Sequence, residues 1–466
     1  MTQSPADTAT EASEALRRDR RARFAAAIGD HIERLAWGPE RIDTHQREQL
    51  RELLAHAIER SPFHAARLEG VDPSTFELED LPSLPVMTKT EMMAGFDALV
   101  TDRRLSRKAV EDHLASLRER PEFLLDEYTC LASGGASGEK GVFVYDAKAI
   151  VDCMAAGARR ALSTLLSFGE PPPGGVPMAF VSAGSPVHAT NALGAIASGG
   201  FISATMVPAT LPVPEMVARL NELQPLLVLG YPSAVTVLAA EQEAGRLAIH
   251  PLAITTSSET LTVEVRQRIT GAFGVPVANQ FGSSEGLFGV SEPGEDPIAF
   301  ASDLAIVELV DDDGRPVPNG TPSSRVLVTN LFNRTQPLIR YELTDRFVRC
   351  PEAAGHGHLR ATVDGRAAEM LRWGDLTVHP HAIRSVLVRA PAVVDYQVRQ
   401  TNGGVDVVVA ASGSLDTTDL AGQLTDALQR AGMGAPTATV RRVAALSRNP
   451  ETGKLATFIP QPGPRH

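Results

Sequence analysis

The amino-acid sequence predicts an α/β protein: a large N-terminal domain of parallel β-sheets covered by helices, with a β-rich subdomain, followed by a small C-terminal α+β domain. Three observations carry that prediction. Between Val176 and Asn279 short apolar runs alternate with amphipathic segments, the rhythm of parallel strands joined by crossover helices. From Ala305 the pattern changes to apolar strands joined by turn residues, as in hairpins. Beyond Asp364 strands and helices mix over a stretch of small-domain size, about 100 residues.

The 466 residues exceed what one core usually holds, and domains of roughly 100–200 residues are expected. We divide the chain into a tail at 1–43, a large domain at 44–364 and a small domain at 365–466. The stretch through Arg23 mixes acidic and basic residues without an apolar segment. It reads as a frayed, partly helical tail and neither as a secretory signal nor as a transit peptide. From Thr44, Leu50, Leu53, Leu54, Ile58 and Leu68 recur at mostly helical spacing with Pro62 interrupting, which predicts two helices. After the proline-punctuated stretch Leu81 to Pro85, the chain to Leu125 reads as charged helix.

Strands are expected at Met178–Val181, Ile202–Val207, Leu226–Leu229, Leu252–Thr255 and Val275–Ala278. Leu261, Val265, Ile269 and Phe273 stand at successive fourth positions, a buried helical stripe with Thr260 or Thr262 as N-cap. Ile306–Val310 and Val326–Thr329 are expected to flank the turn Asp311-Asp312-Asp313-Gly314. In the small domain we expect a helix near Ala382–Val388, strands at Val393–Val398 and Val405–Val409, a helix carrying Leu420, Leu424 and Leu428, and a strand at Thr437–Val443.

With 56 acidic and 44 basic residues the net charge is −12, which argues against a broad nucleic-acid or anionic-membrane footprint. The longest apolar stretch, Pro225 to Ala240, is interrupted by Gly230 and Pro232 and is too short to span a bilayer. Cys130, Cys153 and Cys350 are odd in number and far apart, which suits reduced thiols in a cytoplasm. The chain reads as a soluble cytoplasmic protein.

Five segments carry candidate chemistry. Ser133-Gly134-Gly135-Ala136-Ser137-Gly138-Glu139-Lys140 combines small residues, which leave backbone N–H groups exposed, with hydroxyl donors, as a phosphate-wrapping loop requires. It is neither a Walker A loop nor a dinucleotide fingerprint, and an ordinary turn reads the same way. Asn279-Gln280-Phe281-Gly282-Ser283-Ser284-Glu285-Gly286 follows a predicted strand, where open α/β sheets bind ligands. Gly282-x-Ser284-x-Gly286 also matches the nucleophile elbow of α/β-hydrolases, but that elbow needs a helix after the serine, and Pro293 and Gly294 leave room for hardly more than a turn. In Pro337–Asp345 an acidic residue closes an apolar strand and is suited to accept from two neighbouring hydroxyls, with a turn aspartate as the plain alternative. The last two are Gly365-Arg366 at the expected boundary and Lys454 in Asn449-Pro450-Glu451-Thr452-Gly453-Lys454; a late lysine is usually only solvated.

Taken in this order, the five segments resemble the adenylate-forming superfamily, and within it the phenylacetate–CoA ligase-like branch. The resemblance runs from about Thr44 to Lys454. It includes Gly230-Tyr231-Pro232-Ser233 after an apolar strand, Thr255-Thr256-Ser257-Ser258-Glu259 at the next strand end, and the early stretch Ser61-Pro62-Phe63 through Leu84-Pro85-Val86-Met87-Thr88-Lys89. It implies that a carboxylic acid and ATP form an acyl-adenylate and pyrophosphate, after which a nucleophile, commonly the CoA thiol, displaces AMP. By position, Ser133, Gly134, Gly135, Ala136, Ser137 and Gly138 would hold the β- and γ-phosphates and Ser284 the α-phosphate. Glu285 would help hold Mg²⁺, a hard cation suited to carboxylate and phosphate oxygens. Asp345 would bind the ribose, Arg366 would support the nucleotide, Ser258, Glu259, Asn279, Gln280 and Phe281 would surround adenine, and Gly282 and Ser283 would also belong to the cofactor-binding residues. Lys454, on a mobile small domain, would bridge to the reacting oxygens and swing away for the second step.

Several positions depart from the branch. Glu139-Lys140 replaces the usual proline, Ala136 and Ser137 replace threonines, and Phe281 stands for tyrosine. Ala368 occupies the hinge position usually Asp or Lys, the stretch from Gly374 to Pro380 is one residue longer than expected, and Arg384 replaces a common glutamate. The acceptor therefore stays open between CoA, a carrier-protein thiol and an amine. Cys350, His356 and His358 lie where some relatives carry a zinc loop, but closed structural zinc takes four ligands and a solvated loop is the expectation. The branch's frequent use of aromatic acids suggests a benzoate-, hydroxybenzoate- or anthranilate-like substrate, with His188 and Tyr231 as pocket candidates and packing as the alternative for each.

Overall fold

The computed structural model describes residues 5–117, 122–133, 141–167, 169, 175–182, 194, 202–343, 345–366, 371–374, 376–378, 380–390, 392–411, 413–448 and 455–461. Its centre is a nine-stranded sheet in the order Asp345–Arg349, Arg360–Arg366, Ile298–Phe300, Phe288–Ser291, Val277–Gly282, Ala253–Ser257, Leu227–Gly230, Val176–Val181, Ile202–Met206. The five strands from Val277–Gly282 to Ile202–Met206 run parallel, as the alternating pattern requires. The other four join antiparallel, so antiparallel strands extend the parallel part that the sequence predicts. The signal for Phe288–Ser291 and Ile298–Phe300 is weak because each is only three or four residues long.

Both faces of the sheet are covered. Helix Ala147–Leu166 buries Ile150, Ala155 and Leu162 in a core shared with Phe288. On the other face Val213–Leu223, Pro232–Glu243 and Val263–Phe273 bring Leu220, Leu238 and Ile269 onto Ala179, Val228 and Val277. Each such side chain contributes about 1.5–3 kcal/mol when fully buried. Thr262 caps the last of these helices by accepting the Val265 N–H, and Gly274 ends it at φ +72°, a left-handed cap that suits glycine. Near the N-terminus Pro62 opens the second of two helices, Pro39–Arg60 and Pro62–Arg67, with Ser61 accepting the His64 N–H at 3.3 Å.

The tail, expected to be frayed and only partly helical, is a helix over Pro5–Arg34 that buries Arg20, Phe24 and His31. The Arg20 guanidinium lies 4.0 Å from the Phe123 ring centre and donates to the Glu127 carbonyl, and His31 Nε2 is 3.2 Å from Asp152. Its anchoring is hard to read from sequence because it uses arginine stems and sparse apolar residues; long basic side chains bury their aliphatic parts while the charge finds a partner.

Ala305–Val310 pairs antiparallel with Arg325–Asn330, which pairs with Tyr341–Leu343. In the connection, Gly314 N–H donates to the Asp311 carbonyl. A separate four-stranded sheet, in the order Thr437–Val443, Gly404–Ala411, Val393–Thr401, Phe458–Ile459, packs with helices His381–Arg389 and Thr417–Arg430 around Ile383, Val407 and Leu424. Among the described residues no helix is long and apolar enough to cross a membrane. Cys130 and Cys153 are buried and Cys350 is partly exposed; all three are free.

Candidate active site

The glycine-rich segment lies in sequence between two paired strands. Thr129–Ala132 pairs with Val142–Tyr145, and beyond the last pair Ser133 N–H donates to the Gly141 carbonyl while Gly141 N–H donates back to Ser133 Oγ, each at 2.9 Å. Gly134, Gly135, Ala136, Ser137 and Gly138 lie outside the described residues, as do His188, Ala368 and Lys454.

The segment after strand Val277–Gly282 is a tight turn. Ser283 N–H donates to the Leu287 carbonyl and Gly286 N–H to the Ser283 carbonyl. The chain then enters strand Phe288–Ser291, antiparallel to the first. No helix follows Ser284, so the strand–turn–helix context that a nucleophile elbow needs is absent, and the hydrolase alternative loses its support.

Two residues that the sequence reading did not single out hold this turn from below. Tyr145 Oη donates to the Ser284 carbonyl at 2.6 Å, and Asn330 Nδ2 donates to the Glu285 carbonyl at 3.0 Å. Asn330 Oδ1 in turn accepts the N–H groups of Phe332 and Asn333 at 3.1 and 3.0 Å. Asn333 and Gln336 bond the backbone of Val142 and Val144. The glycine-rich hairpin and the Ser283–Gly286 turn are therefore pinned to one buried polar scaffold. Three amides in seven residues, Asn330, Asn333 and Gln336, were the available signal, since buried amides must find partners. Gly286 sits at φ +92°, and a Cβ there would come 2.3 Å from Asn330 Nδ2.

Glu285 is 7% exposed and Asp345 8%. Burial pushes the Glu285 pKa upward; its own backbone N–H, the Lys89 charge and Ser283 pull the other way, while the Asp345 charge adds to the rise. Asp345 begins its strand directly opposite Arg366 in the antiparallel register. The structure thus brings Glu285 and Asp345 together, with the backbone of Arg366 beside Asp345.

The residues expected around adenine separate. Phe281 packs edge-on against Phe300 and Phe347, ring centres 5.7 and 5.2 Å apart. Gln280 points to the opposite layer, where its Nε2 would stand 3.1 Å from a Cβ at Gly157 of the covering helix. Alternation along a strand sends neighbours to opposite faces, so Gln280 and Phe281 do not line one pocket. Asn279 lies in the strand with its N–H donating to Ser291 Oγ. Ser258 is exposed at φ +71°. Glu259 accepts the Ser233 N–H at 3.1 Å and the Leu455 N–H at 3.0 Å.

Tyr231 is 2% exposed and packs in the core among Val181, Val235 and Leu238, the packing alternative rather than a pocket wall. In the loop of Cys350, His356 and His358, His358 is buried, with Nε2 at 2.9 Å from the Arg34 carbonyl and Nδ1 accepting from Ser302 N–H. His356 meets the Leu35 carbonyl. The loop is packed against the N-terminal helix at these histidines and is not simply solvated.

No family model matches the chain. It is 26% identical over 406 residues, 82% of this chain and 81% of the relative, to the phenylacetate-coenzyme A ligase of Thermus thermophilus. That alignment, over four-fifths of both chains, accords with the ordered segments: the chain is similar to the phenylacetate–CoA ligase-like branch of the adenylate-forming superfamily. The adenylate-forming fold is also seen in 2-hydroxyisobutyryl-CoA ligase in its postadenylation state, with a TM-score of 0.66 at 19% identity over 90% of this chain and 89% of that one. The same enzyme in the thioesterification state matches with a TM-score of 0.52 at 19% identity over 90% and 89%.

Proposed function

We propose that this protein is an AMP-forming carboxylic acid–CoA ligase acting on a small aromatic acid of the benzoate, hydroxybenzoate or anthranilate kind. The observation that carries the reading is buried Glu285, on a turn held by Tyr145 and Asn330, within electrostatic reach of buried Asp345. A carboxylate raised by burial beside a second carboxylate is relieved by a cation, and its oxygens suit Mg²⁺. Glu285 would hold that ion, whose chemistry is to neutralise charge on the phosphates. The aromatic preference is supported by the relative from Thermus thermophilus, whose name gives phenylacetate as its acid.

In this reading Ser133 and the glycine-rich loop bind the β- and γ-phosphates of ATP, Ser284 the α-phosphate, Asp345 the ribose hydroxyls and Arg366 the nucleotide. The acid's carboxylate oxygen attacks the α-phosphorus and pyrophosphate departs, with Lys454 stabilising the charge that develops there. In the second step the CoA sulfur bonds to the acyl carbon and AMP leaves with the oxygen. We divide the chain at 364/365, with the small domain carrying Lys454, and place the protein in the cytoplasm on its three free thiols.

The test is acid-dependent pyrophosphate release with ATP and Mg²⁺ across aromatic and aliphatic acids, with and without CoA. Release with aromatic acids and CoA-dependent AMP is expected. Release followed by transfer only to a carrier protein or an amine would reassign the acceptor, and no release with any acid would reject the ligase.

A further inference from the structure

Among the described residues, Glu259 and Arg448 tie the large and small domains together. Glu259 follows Ser258, whose left-handed backbone turns the chain sharply at the end of strand Ala253–Ser257. Its Oε2 accepts the N–H of Ser233, in the first turn of helix Pro232–Glu243, where a carboxylate also meets the positive end of the helix dipole. Its Oε1 accepts the N–H of Leu455, a residue of the small domain that is 6% exposed. Arg448, also of the small domain, donates from Nη1 to Ser233 Oγ at 2.7 Å, and its Nη2 lies 3.7 Å from the Asp395 carboxylate. Two ties from the small domain therefore converge on Ser233 and its carboxylate neighbour. Both oxygens of Glu259 are engaged by backbone N–H groups, so an adenine amine would have to share them.

We propose that Glu259 is a positioning residue of the ligase reaction: by accepting the Leu455 N–H it seats, on the large domain, the segment that directly follows Lys454, for acyl-adenylate formation only. This rests on the ligase reading, and it replaces the adenine contact expected for Glu259 by a domain contact. Thioester formation, which needs a different placement of the small domain in this reading, does not use it.

The two roles separate in half-reactions. Glu259→Ala and Arg448→Ala are compared with wild type for pyrophosphate release from ATP, acid and Mg²⁺, and for CoA thioester formation from chemically prepared acyl-adenylate. For Glu259→Ala, losing a charge-assisted bond should lower kcat of pyrophosphate release about tenfold or more, with KM for ATP and the thioester half-reaction within about twofold. Arg448→Ala should shift in the same direction by less and carries the test if the first variant does not fold. Hydrogen exchange read on a peptide that begins at least two residues before Leu455 and contains it should show faster exchange in Glu259→Ala. Parallel loss of both half-reactions with a raised KM for ATP would overturn the proposal in favour of an adenine contact, and unchanged exchange at Leu455 would overturn it outright. No pyrophosphate from the wild type would reject the ligase reading and this role with it, whereas exchange would still report whether Glu259 holds Leu455.

Discussion

Glu285 and Glu259 are carboxylates of the same large domain set in opposite ways. Glu285 is 7% exposed, and the groups around it, Ser283, Tyr145 and Asn330, belong to that domain. Glu259 is partly exposed and divides its oxygens between Ser233 of its own domain and Leu455 of the other. A site closed within one packed body keeps its geometry through any domain motion, because interiors are dense and do not deform continuously. A bond between bodies exists in one arrangement only. Substrate-holding groups are expected in the first setting and step-selecting groups in the second.

The comparison breaks most directly at Lys454. Lys454→Ala should lower pyrophosphate release about 10²–10³-fold and leave thioester formation from supplied acyl-adenylate nearly intact; equal loss in both would erase the distinction between holding and selecting. Glu285→Gln should lose roughly 10²-fold in the first step and require more Mg²⁺, seen in a titration of the metal. It should also stabilise the nucleotide-free protein at high pH. A carboxylate raised on folding gives stability that is fully present below its ordinary pKa and lost as pH rises through the raised value. Glutamine removes that loss, so the melting temperatures of variant and wild type should diverge from acid to mildly alkaline pH.

Gly286→Ala should cost about 1–3 kcal/mol in chemical denaturation, because the left-handed backbone and the Asn330 amide both oppose a Cβ. Gly271→Ala, where nothing lies within 4 Å, is the control and should be neutral or slightly stabilising. The smallest effect is expected at Asp395. Burial pushes it up to about 7 against the pull of Arg448, with Glu259 repelling it. The protonated form is thus favoured in the docked state, and protection of Leu455 should weaken as pH rises through about 7. Asp395→Asn should flatten that dependence.

Much of this was legible in the residues themselves. The five parallel strands follow from alternating apolar runs, and Thr262 and Pro62 mark helix starts by their own chemistry. Glu285 and Asp345 were placed by their order along the chain. What was hidden is non-local: Tyr145 and Ser284 are 139 positions apart, and Glu259 and Leu455 are 196 apart. No periodicity encodes which backbone N–H a distant carboxylate will meet. Gln280 and Phe281 were grouped because they are neighbours, when the period of two along a strand separates them. The N-terminal helix, expected only as a partly helical tail, hides its packing because arginines anchor it.

The thiols have a practical consequence. Burial pushes Cys130 up to about 12 and Cys153 well above its usual range, so neither forms a thiolate that a maleimide could trap in the folded protein. Cys350 alone is partly exposed. The native chain is thereby a single-site labelling scaffold on its large domain, and one engineered cysteine on the small domain would complete a donor–acceptor pair for following the docking in real time.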